Sequence, residues 1–505
     1  MPKAGPFVLA LVSLLGTGCR KSPPPASEIS LSVPYELSTF DPHEKDLLSN
    51  VALLSHVYEP LVTSDASMAI RSCLAERWVS PDPLTWILTL RPGVRFHSGA
   101  PLTSADVVAT FERVSGARNL EVSGYLMNVA SVKALDEQRV EIRTKSPMSI
   151  LLQKIRYMAI TRKGVDPARE TDGTGPYRLS SPKPGPTFEL TRHEEYWGRK
   201  PAFQRVTFRL KRTPDQALDD FLAGTSPLVQ ANTRRVESAL RGLTDVTILK
   251  QSSIFVKFLA FDVKRDETPG VPGRKNPFRD VRVRRAVRLA IDRAKLAASL
   301  SSYAVPTSQP VPPFIFGFDP SIPETPYDAA KARALLAEAG LPGGFTVTLH
   351  TRQLLAESAG HLKAMLAEVG IDVKVLALPD AEYFPALSRR EGSMYLSRFG
   401  CPSGDVSDLL DKAIHTVEPA RHFGESNNGD YTNPELDRLI EESSGLAEMS
   451  QRRPVLQQII RKVMDDAAFL PLYADLDVFL MRKVLSWQPR SDGYVFAFEV
   501  ARAGR

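Results

Sequence analysis

The chain has 505 residues, which exceeds the size of one ordinary hydrophobic core, so two or three domains are expected. Hydrophobic residues make up 43% and charged residues 24%, both average for a globular protein, and no window approaches the ~18 apolar residues of a membrane span. The net charge of +6 is small, and the Arg-rich segment 279–288 alternates with Val at helical spacing. These values argue against a membrane-spanning protein and against a nucleic-acid partner.

The first 19 residues have the layout of an export signal. Lys3 gives a positive end, residues 7–15 are apolar but too few to span a bilayer, and LLGTGC places small residues before Cys19. The segment also resembles a lipoprotein signal, in which the cysteine becomes the lipidated first residue, although Gly16 stands where such signals usually carry leucine. We therefore predict a signal peptide over 1–18 and a lipidated N-terminus with a Pro-rich tether over 19–28. The alternative is an ordinary leader on a soluble protein.

Strand-like and helix-like segments alternate through the first part of the chain. Residues 31–42 predict a strand that runs into STFDP, residues 50–58 predict a helix that ends in YEPL, and residues 86–90 predict a short strand. A further helix is predicted from Thr103, with Asp106 as the acidic partner of a capping box. This alternation is typical of an α/β fold.

The motif GTGPYRL at 173–179 has a competing interpretation as a phosphate-binding loop. That interpretation fails because Pro176 and Tyr177 follow the glycines at once and no helix begins there. The segment is predicted to be a turn followed by a strand.

The second half continues the same alternation. Asp328 is the predicted N-cap of a helix that Gly340 ends, and Thr432 with Glu435 form the predicted capping box of another. Apolar, β-rich runs predict three strands, at 254–263, 469–481 and 494–500.

The order of these segments resembles that of the extracytoplasmic solute-binding proteins of the dipeptide/oligopeptide family (family 5), which supply ABC importers. The motifs that carry the resemblance are the stretch 58–114, GTGPY followed by EEYWG at 194–198, and NPFRDVRVRRAVRLAID at 276–292. The resemblance extends from Phe40 to Tyr473.

The resemblance implies an α/β fold with two lobes, of the periplasmic-binding-protein type II class (cluster C), with an extra subdomain inserted in lobe I. Two crossings between the lobes are expected, near 254–263 and 472–479, and the lobes are expected to close around a solute. The implied boundaries are lobe I over 29–254, its inserted subdomain over about 50–165, lobe II over 255–475, and a return to lobe I over 476–505.

Cys73 and Cys401 are the cysteines other than Cys19. An even pair in an exported protein permits one disulfide, but sequence alone does not show that the two thiols meet. The implied boundaries place them in different lobes, which disfavours a bond between them.

The resemblance also implies a ligand site within RFGCPSGDVSDLL at 398–410. In peptide-binding members, an Asp in a W-x-x-D-x-x-D-P stretch pairs with the peptide ammonium. Phe399 matches the aromatic residue of that pattern and Asp405 its second Asp, but Pro402 stands where the ammonium-binding Asp would be. Proline carries no charge, and Arg398 adds a positive one, so we predict a solute without an essential free ammonium. A register shift of one or two residues would instead give the ammonium role to Asp405.

Other candidate ligand contacts each have a structural alternative. Asp262 ends the first crossing strand and is alternatively a solvated strand end, whereas Arg352 is alternatively a surface residue. Tyr383 is either a rim aromatic or a stack for the ligand. The complete set of predicted ligand contacts comprises Ser38, Thr39, Asp262, Arg352, Arg398, Phe399, Gly400, Cys401, Pro402 and Asp405.

The function implied by the resemblance is that of a substrate-binding lipoprotein of an ABC importer, outside the cytoplasm and anchored to the membrane by lipid alone. Its expected partners are a small solute, possibly a peptide, and the permease subunits, with no cofactor, no metal and no nucleic acid, and it is expected to be a monomer. An enzyme is disfavoured because the eight His show no H-x-x-x-H spacing. A signalling or chaperone-like peptide-binding protein is the alternative.

Overall fold

The computed structural model describes residues 27–45, 47–117, 119–181, 183–273, 275–300, 303–446 and 448–504. The predicted signal peptide and Cys19 lie outside these residues. Within the described part of the chain, no helix combines the length and the apolar character that a membrane crossing requires.

The strands are β1 (Glu28–Ser32), β2 (Val62–Ser64), β3 (Ile70–Ser72), β4 (Ala75–Asp82), β5 (Thr85–Leu90), β6 (Val129–Ala134), β7 (Arg139–Thr144), β8 (Tyr177–Leu179), β9 (Thr187–Arg192), β10 (Arg205–Arg209), β11 (Leu228–Gln230), β12 (Val246–Phe261), β13 (Ala304–Pro306), β14 (Phe345–Arg352), β15 (Ile371–Leu378), β16 (Met394–Gly400), β17 (Phe469–Arg482), β18 (Leu485–Ser486) and β19 (Ala501–Arg502).

The α-helices are α1 (Leu48–Leu54), α2 (Ser104–Gly116), α3 (Leu151–Ile155), α4 (Pro214–Leu222), α5 (Val236–Ala239), α6 (Val281–Ala290), α7 (Arg293–Leu300), α8 (Ala329–Glu338), α9 (Ala356–Ala367), α10 (Asp380–Ser388), α11 (Ser407–Leu409), α12 (Pro434–Ser444) and α13 (Met449–Asp466).

One large sheet organises the molecule, with β12 and β17 as its two long central strands. Its order is β15-β14-β16-β12-β17-β11-β1-β10-β9-β8, and β13 pairs with β17 outside this path. We call the half that contains β1 and β8–β11 the first lobe and the half that contains β13–β16 the second lobe. Because β12 and β17 belong to both halves, they join the lobes; β12 contains residues 254–261 of the first predicted crossing segment, and β17 contains the whole of the second, 472–479.

The antiparallel pairing of β12 with β17 is interrupted where the two halves meet. The register shifts between Ser252 and Val256, which pair with Leu476 and Ala474, so β12 carries two extra residues there. A bulge of this kind bends a strand and locally disrupts its ladder of hydrogen bonds. The interruption marks the place at which the lobes can hinge.

The first lobe is built on the parallel pairs of β1 with β10 and β11. Its core also contains α1 and the C-terminal residues 494–500. The sequence prediction of a strand over 494–500 is wrong, because this segment contains only a short 3₁₀ turn, Ala497–Glu499, that packs in the core. Residues 52–58, which the sequence prediction assigned to the inserted subdomain, pack in this core as well.

The inserted subdomain has its own four-stranded sheet, β4-β5-β7-β6, and a separate core that α2 covers. The predicted helix start is confirmed, because Thr103 and Asp106 form the capping box of α2. The GTG motif has a packing role: a Cβ at Gly173 would lie 1.9 Å from the carbonyl oxygen of Val57, and one at Gly175 would lie 2.6 Å from that of His56. Glycine is needed at both positions because the two backbone segments approach each other closely. This packing role agrees with the rejection of a phosphate-binding loop.

In the second lobe, β15, β14 and β16 run parallel to one another, and β16 pairs with β12 in the antiparallel direction. The predicted N-cap Asp328 is confirmed, since its side chain accepts a hydrogen bond from the backbone N–H of Lys331. The predicted capping box at Thr432 is wrong by one residue, because Asn433 caps α12 instead. Pro434 at the first helical position leaves the preceding residue in an extended conformation, which favours a cap there.

Candidate ligand site between the lobes

The carboxyl ends of the parallel strands in both lobes point toward the hinge. In the second lobe, β16 ends at Gly400, which pairs with Phe255 inside the bulge of β12. In the first lobe, β11 runs antiparallel to β17 and ends at Gln230, opposite Phe479. In open α/β sheets, ligands bind outside the carboxyl ends of the strands. The junction of the two lobes is therefore the candidate site.

Three charged side chains lie on the central strands at this junction. Lys257 is almost completely buried and forms an ion pair with Asp475. Asp477 follows two residues later and accepts a hydrogen bond of 3.0 Å from the amide of Gln230. Burial raises the pKa of Asp477 to about 6, and the negative charge of Asp475 adds to the shift. These three residues make the floor of the site, the part formed by the central strands β12 and β17, polar, although most residues of the two strands are apolar.

Arg398 lies next to this floor, near the carboxyl end of β16. Its side chain is exposed, and its guanidinium lies 4.5 Å from the ring centre of Phe255. Among the described residues, no carboxylate forms an ion pair with it. A planar cation in this position can bind a carboxylate through two parallel hydrogen bonds.

A cavity of about 210 Å³ lies beside Arg398 in the second lobe. The aromatic rings of Phe258, Phe384 and Phe399 line it, and Arg398 and Glu425 contribute charged groups. Such a combination of apolar walls and a few polar groups is typical of small-molecule sites. Two residues predicted from the sequence, Arg398 and Phe399, therefore line one cavity.

The loop that follows β16 turns away from this cavity toward the first lobe. The carbonyl oxygen of Pro402 accepts hydrogen bonds from the Arg156 guanidinium and, at 2.7 Å, from the Tyr157 hydroxyl. Asp405 is buried and paired with Arg452, whose Nη2 lies 3.0 Å from Oδ1, and this oxygen also accepts from the backbone N–H of Ser407. The Asp405 carboxylate is thus engaged within the second lobe and does not face the cavity.

Gly400 and Cys401 begin the same loop. A Cβ at Gly400 would lie 2.6 Å from the ring of Phe255, so a side chain there would displace the aromatic partner of Arg398. Cys401 is a buried free thiol, as is Cys73, and burial raises the pKa of both.

Asp262 and Arg352 are also engaged by the protein itself. The two carboxylate oxygens of Asp262 accept four hydrogen bonds, from the backbone N–H groups of Lys264 and Arg265 and from the side chains of Arg265 and Thr268. Arg352 forms a bidentate ion pair with Asp380. Both carboxylate oxygens of Asp262 are thus engaged within the protein, as are Nε and Nη2 of Arg352.

Ser38 and Thr39 complete the predicted set, and Tyr383 was a further candidate outside it. Ser38 is exposed on the loop after β1, whereas the Thr39 hydroxyl accepts a hydrogen bond from the backbone N–H of Asp41. Tyr383 is buried, with its hydroxyl 3.4 Å from the carbonyl oxygen of Leu396. Its ring is therefore packed within the second lobe rather than at a rim.

A second cavity, of about 230 Å³, lies in the first lobe and reaches the junction at Arg156 and Tyr157. Its wall includes Glu59, whose carboxylate accepts hydrogen bonds from Tyr196 and Trp197 of the EEYWG motif. The motif therefore has a packing role that fixes a buried carboxylate.

The sequence model of the family described as "Bacterial extracellular solute-binding proteins, family 5 Middle" matches residues 69–418, which is more than half of the chain. The chain belongs to this family.

Relatives of the family 5 chain cover nearly its whole length. The glutathione-binding protein GsiB of Salmonella typhi is 24% identical over an alignment of 495 residues, gaps included, that covers 93% of this chain and 94% of that protein. Among solved structures, HbpA2 from Haemophilus parasuis has a TM-score of 0.82 at 20% identity and covers 94% of this chain and 99% of its own. DppA from Helicobacter pylori, in complex with the peptide STSA, has a TM-score of 0.76 at 21% identity over 94% of this chain and 98% of that one. The fold is the two-lobed fold that the sequence predicted.

Sequence reasoning missed several residues at the junction of this family 5 protein, including Lys257, Asp475 and Asp477. A signal for them existed, because each is a charged residue inside a run otherwise typical of a buried strand. A charge in such a run requires a partner or water at that depth. The contacts of Arg156 and Tyr157 with Pro402 had no comparable signal, since about 245 residues separate the partners.

The buried carboxyl of Asp411, near the junction, makes the stability of the folded protein depend on pH. Its Oδ1 atom is buried without a hydrogen-bond partner among the described residues, and burial raises its pKa to about 7, with Lys154 opposing the shift and Asp408 adding to it. The unfolded chain loses this proton at its ordinary, lower pKa, so stability falls as pH rises toward 7 and the full penalty is present above it. We expect Asp411→Asn to lose less stability than wild type between about pH 5 and pH 8, by roughly 1–4 kcal/mol.

Urea unfolding at both pH values measures this difference. Asp372→Asn is a matched control, because Asp372 is exposed on β15. Equal pH slopes for wild type and Asp411→Asn would contradict the assignment.

Proposed function

We propose that this protein is the substrate-binding component of an ABC importer and works outside the cytoplasm. It captures a small solute between its lobes by hinge closure and delivers it to the permease subunits. The observation that supports this most directly is the cavity beside Arg398 and Phe399, at the carboxyl edge of the second lobe and next to the bulge of β12. Membership in family 5 supports the same function.

Hinge closure follows from how the central strands are built. Each lobe has its own core, and β12 and β17 connect the two through an interrupted ladder. A solute that contacts both lobes favours the closed arrangement by the free energy of the contacts that closure adds. Such a mechanism involves binding alone, and we propose that the protein is not an enzyme and acts as a monomer without cofactor or nucleic acid.

The chemistry of the site favours a peptide or other small solute that carries a carboxylate and an apolar group. Arg398 supplies the cation for the carboxylate, and Phe258, Phe384 and Phe399 supply the wall for the apolar group. Pro402 offers only its carbonyl oxygen, which the first lobe already occupies. A solute ammonium would therefore lack the carboxylate that binds it in the peptide-binding members. The names of two relatives, a glutathione-binding protein and a protein in complex with a peptide, support a small solute that carries a carboxylate.

The test is to identify what the protein carries when it is purified from its own host. Native mass spectrometry should show one small molecule per chain, lost on unfolding. The ligand contacts proposed for direct test are Arg398 and Phe399, with Ser38 on the opposite lobe.

Anchoring through Cys19 is a separate part of the proposal. The small residues before Cys19 and the Pro-rich segment after it support lipidation and a tether, and several acyl chains on one residue would hold the protein stably. We expect Cys19→Ser to move the protein from the membrane fraction into the soluble extracytoplasmic fraction. Wild-type protein that is already soluble, with an N-terminus other than residue 19, would contradict lipid anchoring.

A further inference from the structure

An ion pair links the inserted subdomain to the second lobe. Lys154 lies at the end of α3, and its ammonium is 2.8 Å from Oδ1 of Asp408 in α11. Both side chains are nearly buried, with 17% and 5% of their surfaces exposed. The second oxygen of Asp408 accepts a hydrogen bond of 2.7 Å from the backbone N–H of Ser403. The Asp408 carboxylate therefore binds one group on the loop after β16, the N–H of Ser403, and one cation from the inserted subdomain, Lys154.

Lys154 is charged in this position despite its burial. Burial opposes the charge, but Asp408 and the neighbouring Asp411 outweigh it and raise the pKa of Lys154 above its ordinary value. Burial opposes the charge of Asp408 as well, but Lys154 and the hydrogen bond from Ser403 hold the pKa of Asp408 below its ordinary value, so the pair is ionic near neutral pH.

Further contacts near the ion pair also join the inserted subdomain to the second lobe. Met68, on the turn between β2 and β3, adopts a left-handed backbone conformation with φ of 69° and packs in the core of the second lobe. The backbone N–H of Ser149 donates to the carbonyl oxygen of Ser444 at 3.0 Å. A bulky residue other than glycine rarely adopts positive φ, so the backbone strain at Met68 must be offset by its packing. All of these contacts are made by the chain itself.

We propose that Lys154 and Asp408 form an interlobe latch that holds the lobes together independently of solute. Removing Lys154 leaves a carboxylate that is only 5% exposed without its cation, and separation of the lobes hydrates it. Loss of the lysine therefore shifts the population toward the open arrangement. Removing the charge on Asp408 as well abolishes the need for water and returns the population to the closed arrangement.

The latch rests on the proposed function, because closure matters only if a solute enters between the lobes. It adds a regulatory element to that function: a solute meets a protein whose closed form is already stabilised. A lower closing cost raises the apparent affinity for every solute that fits, since binding depends on the fraction of competent protein.

The test is a distance measurement between spin labels at Gln138→Cys and Gln451→Cys, in protein freed of solute by unfolding and refolding. Both glutamines are exposed, one on the inserted subdomain and one on α13, whereas Cys73 and Cys401 are buried. We expect one short-distance population for the otherwise unchanged chain and a major population at longer distance for Lys154→Met. The double variant with Asp408→Asn keeps an acceptor for Ser403 and should return to the short distance.

Lys145→Met is the matched control, since Lys145 is exposed on the same subdomain and its ammonium donates to the carbonyl oxygen of Met127 rather than to a carboxylate. It should match wild type. A folded Lys154→Met protein with the wild-type distances, or a double variant as open as the single one, would overturn the latch. If Lys154→Met does not fold, Lys154→Gln is measured with the same criteria. Failure of the proposed function would appear differently, as a wild-type protein that binds no solute whatever its lobe distances.

Discussion

Replacing Arg452 by methionine is expected to lower the free energy of unfolding by about 3–5 kcal/mol. Arg452 and Asp405 are both buried, and their ion pair lies in the second lobe beside the core that contains Phe316. The arginine also donates to the hydroxyl of Ser407 and to the carbonyl oxygen of Ser443. Methionine fills part of the volume but leaves the Asp405 carboxylate buried without a cation, which is the costly way to break such a pair.

Chemical unfolding of Arg452→Met and of Arg453→Met provides the comparison. Arg453 is the exposed neighbour on α13 and also lies over the ring of Phe316, at 4.4 Å from its centre. We expect its loss to cost less than about 1 kcal/mol, as for other exposed cations. Similar costs for the two variants would show that Asp405 does not depend on its buried partner. A stable Asp405→Asn variant with selective loss of amine binding would instead support the shifted alignment, in which Asp405 binds a solute ammonium.

Replacing Arg398 by glutamine is expected to weaken the binding of solutes that carry a carboxylate by about 10- to 100-fold. A charge-assisted hydrogen bond contributes about 1.5–3 kcal/mol, and each 1.4 kcal/mol corresponds to a factor of ten. Acetylation of a peptide N-terminus is expected to leave its affinity unchanged or to raise it, because the loop at Pro402 provides no counter-charge for an ammonium.

Calorimetric titration with matched free and N-acetylated di- to pentapeptides measures both effects. Arg389→Gln is the control, since Arg389 is an exposed cation that follows α10 and pairs with Glu391. Tight binding of free peptides that acetylation abolishes would contradict the predicted solute class. Equal solute affinities of the Arg398→Gln and Arg389→Gln variants would contradict the proposal that Arg398 binds the solute carboxylate.

Local sequence patterns predicted more of the fold than of the ligand site. The capping box at Thr103 and the N-cap at Asp328 were predictable because each depends on residues within three positions in the sequence. The segment 494–500 was mispredicted because its apolar character reflects burial in the first-lobe core, which a strand and an irregular segment can satisfy equally well.

The site depends on partners that are distant in sequence. Asp405 and Asp262 were both candidate ligand contacts, and the structure shows that Arg452 and Arg265 form ion pairs with them. Lys154 and Asp408 are separated by 254 residues, so no spacing rule connects them. Arg398 was identifiable because it directly precedes Phe399, the aromatic residue of a family pattern, and because Pro402 stands where that pattern has an Asp. Both features are visible in the sequence without a fold.

The central claim is that the two lobes enclose a small solute. Native mass spectrometry of the protein purified from its own host, before and after unfolding, tests it most directly. The account predicts one small molecule per chain in the first spectrum, its loss after unfolding, and its return when the extract that was released is added back to the refolded protein. A mass equal to that of the chain alone, unchanged after incubation with that extract and with a mixture of free and acetylated peptides, would contradict the account.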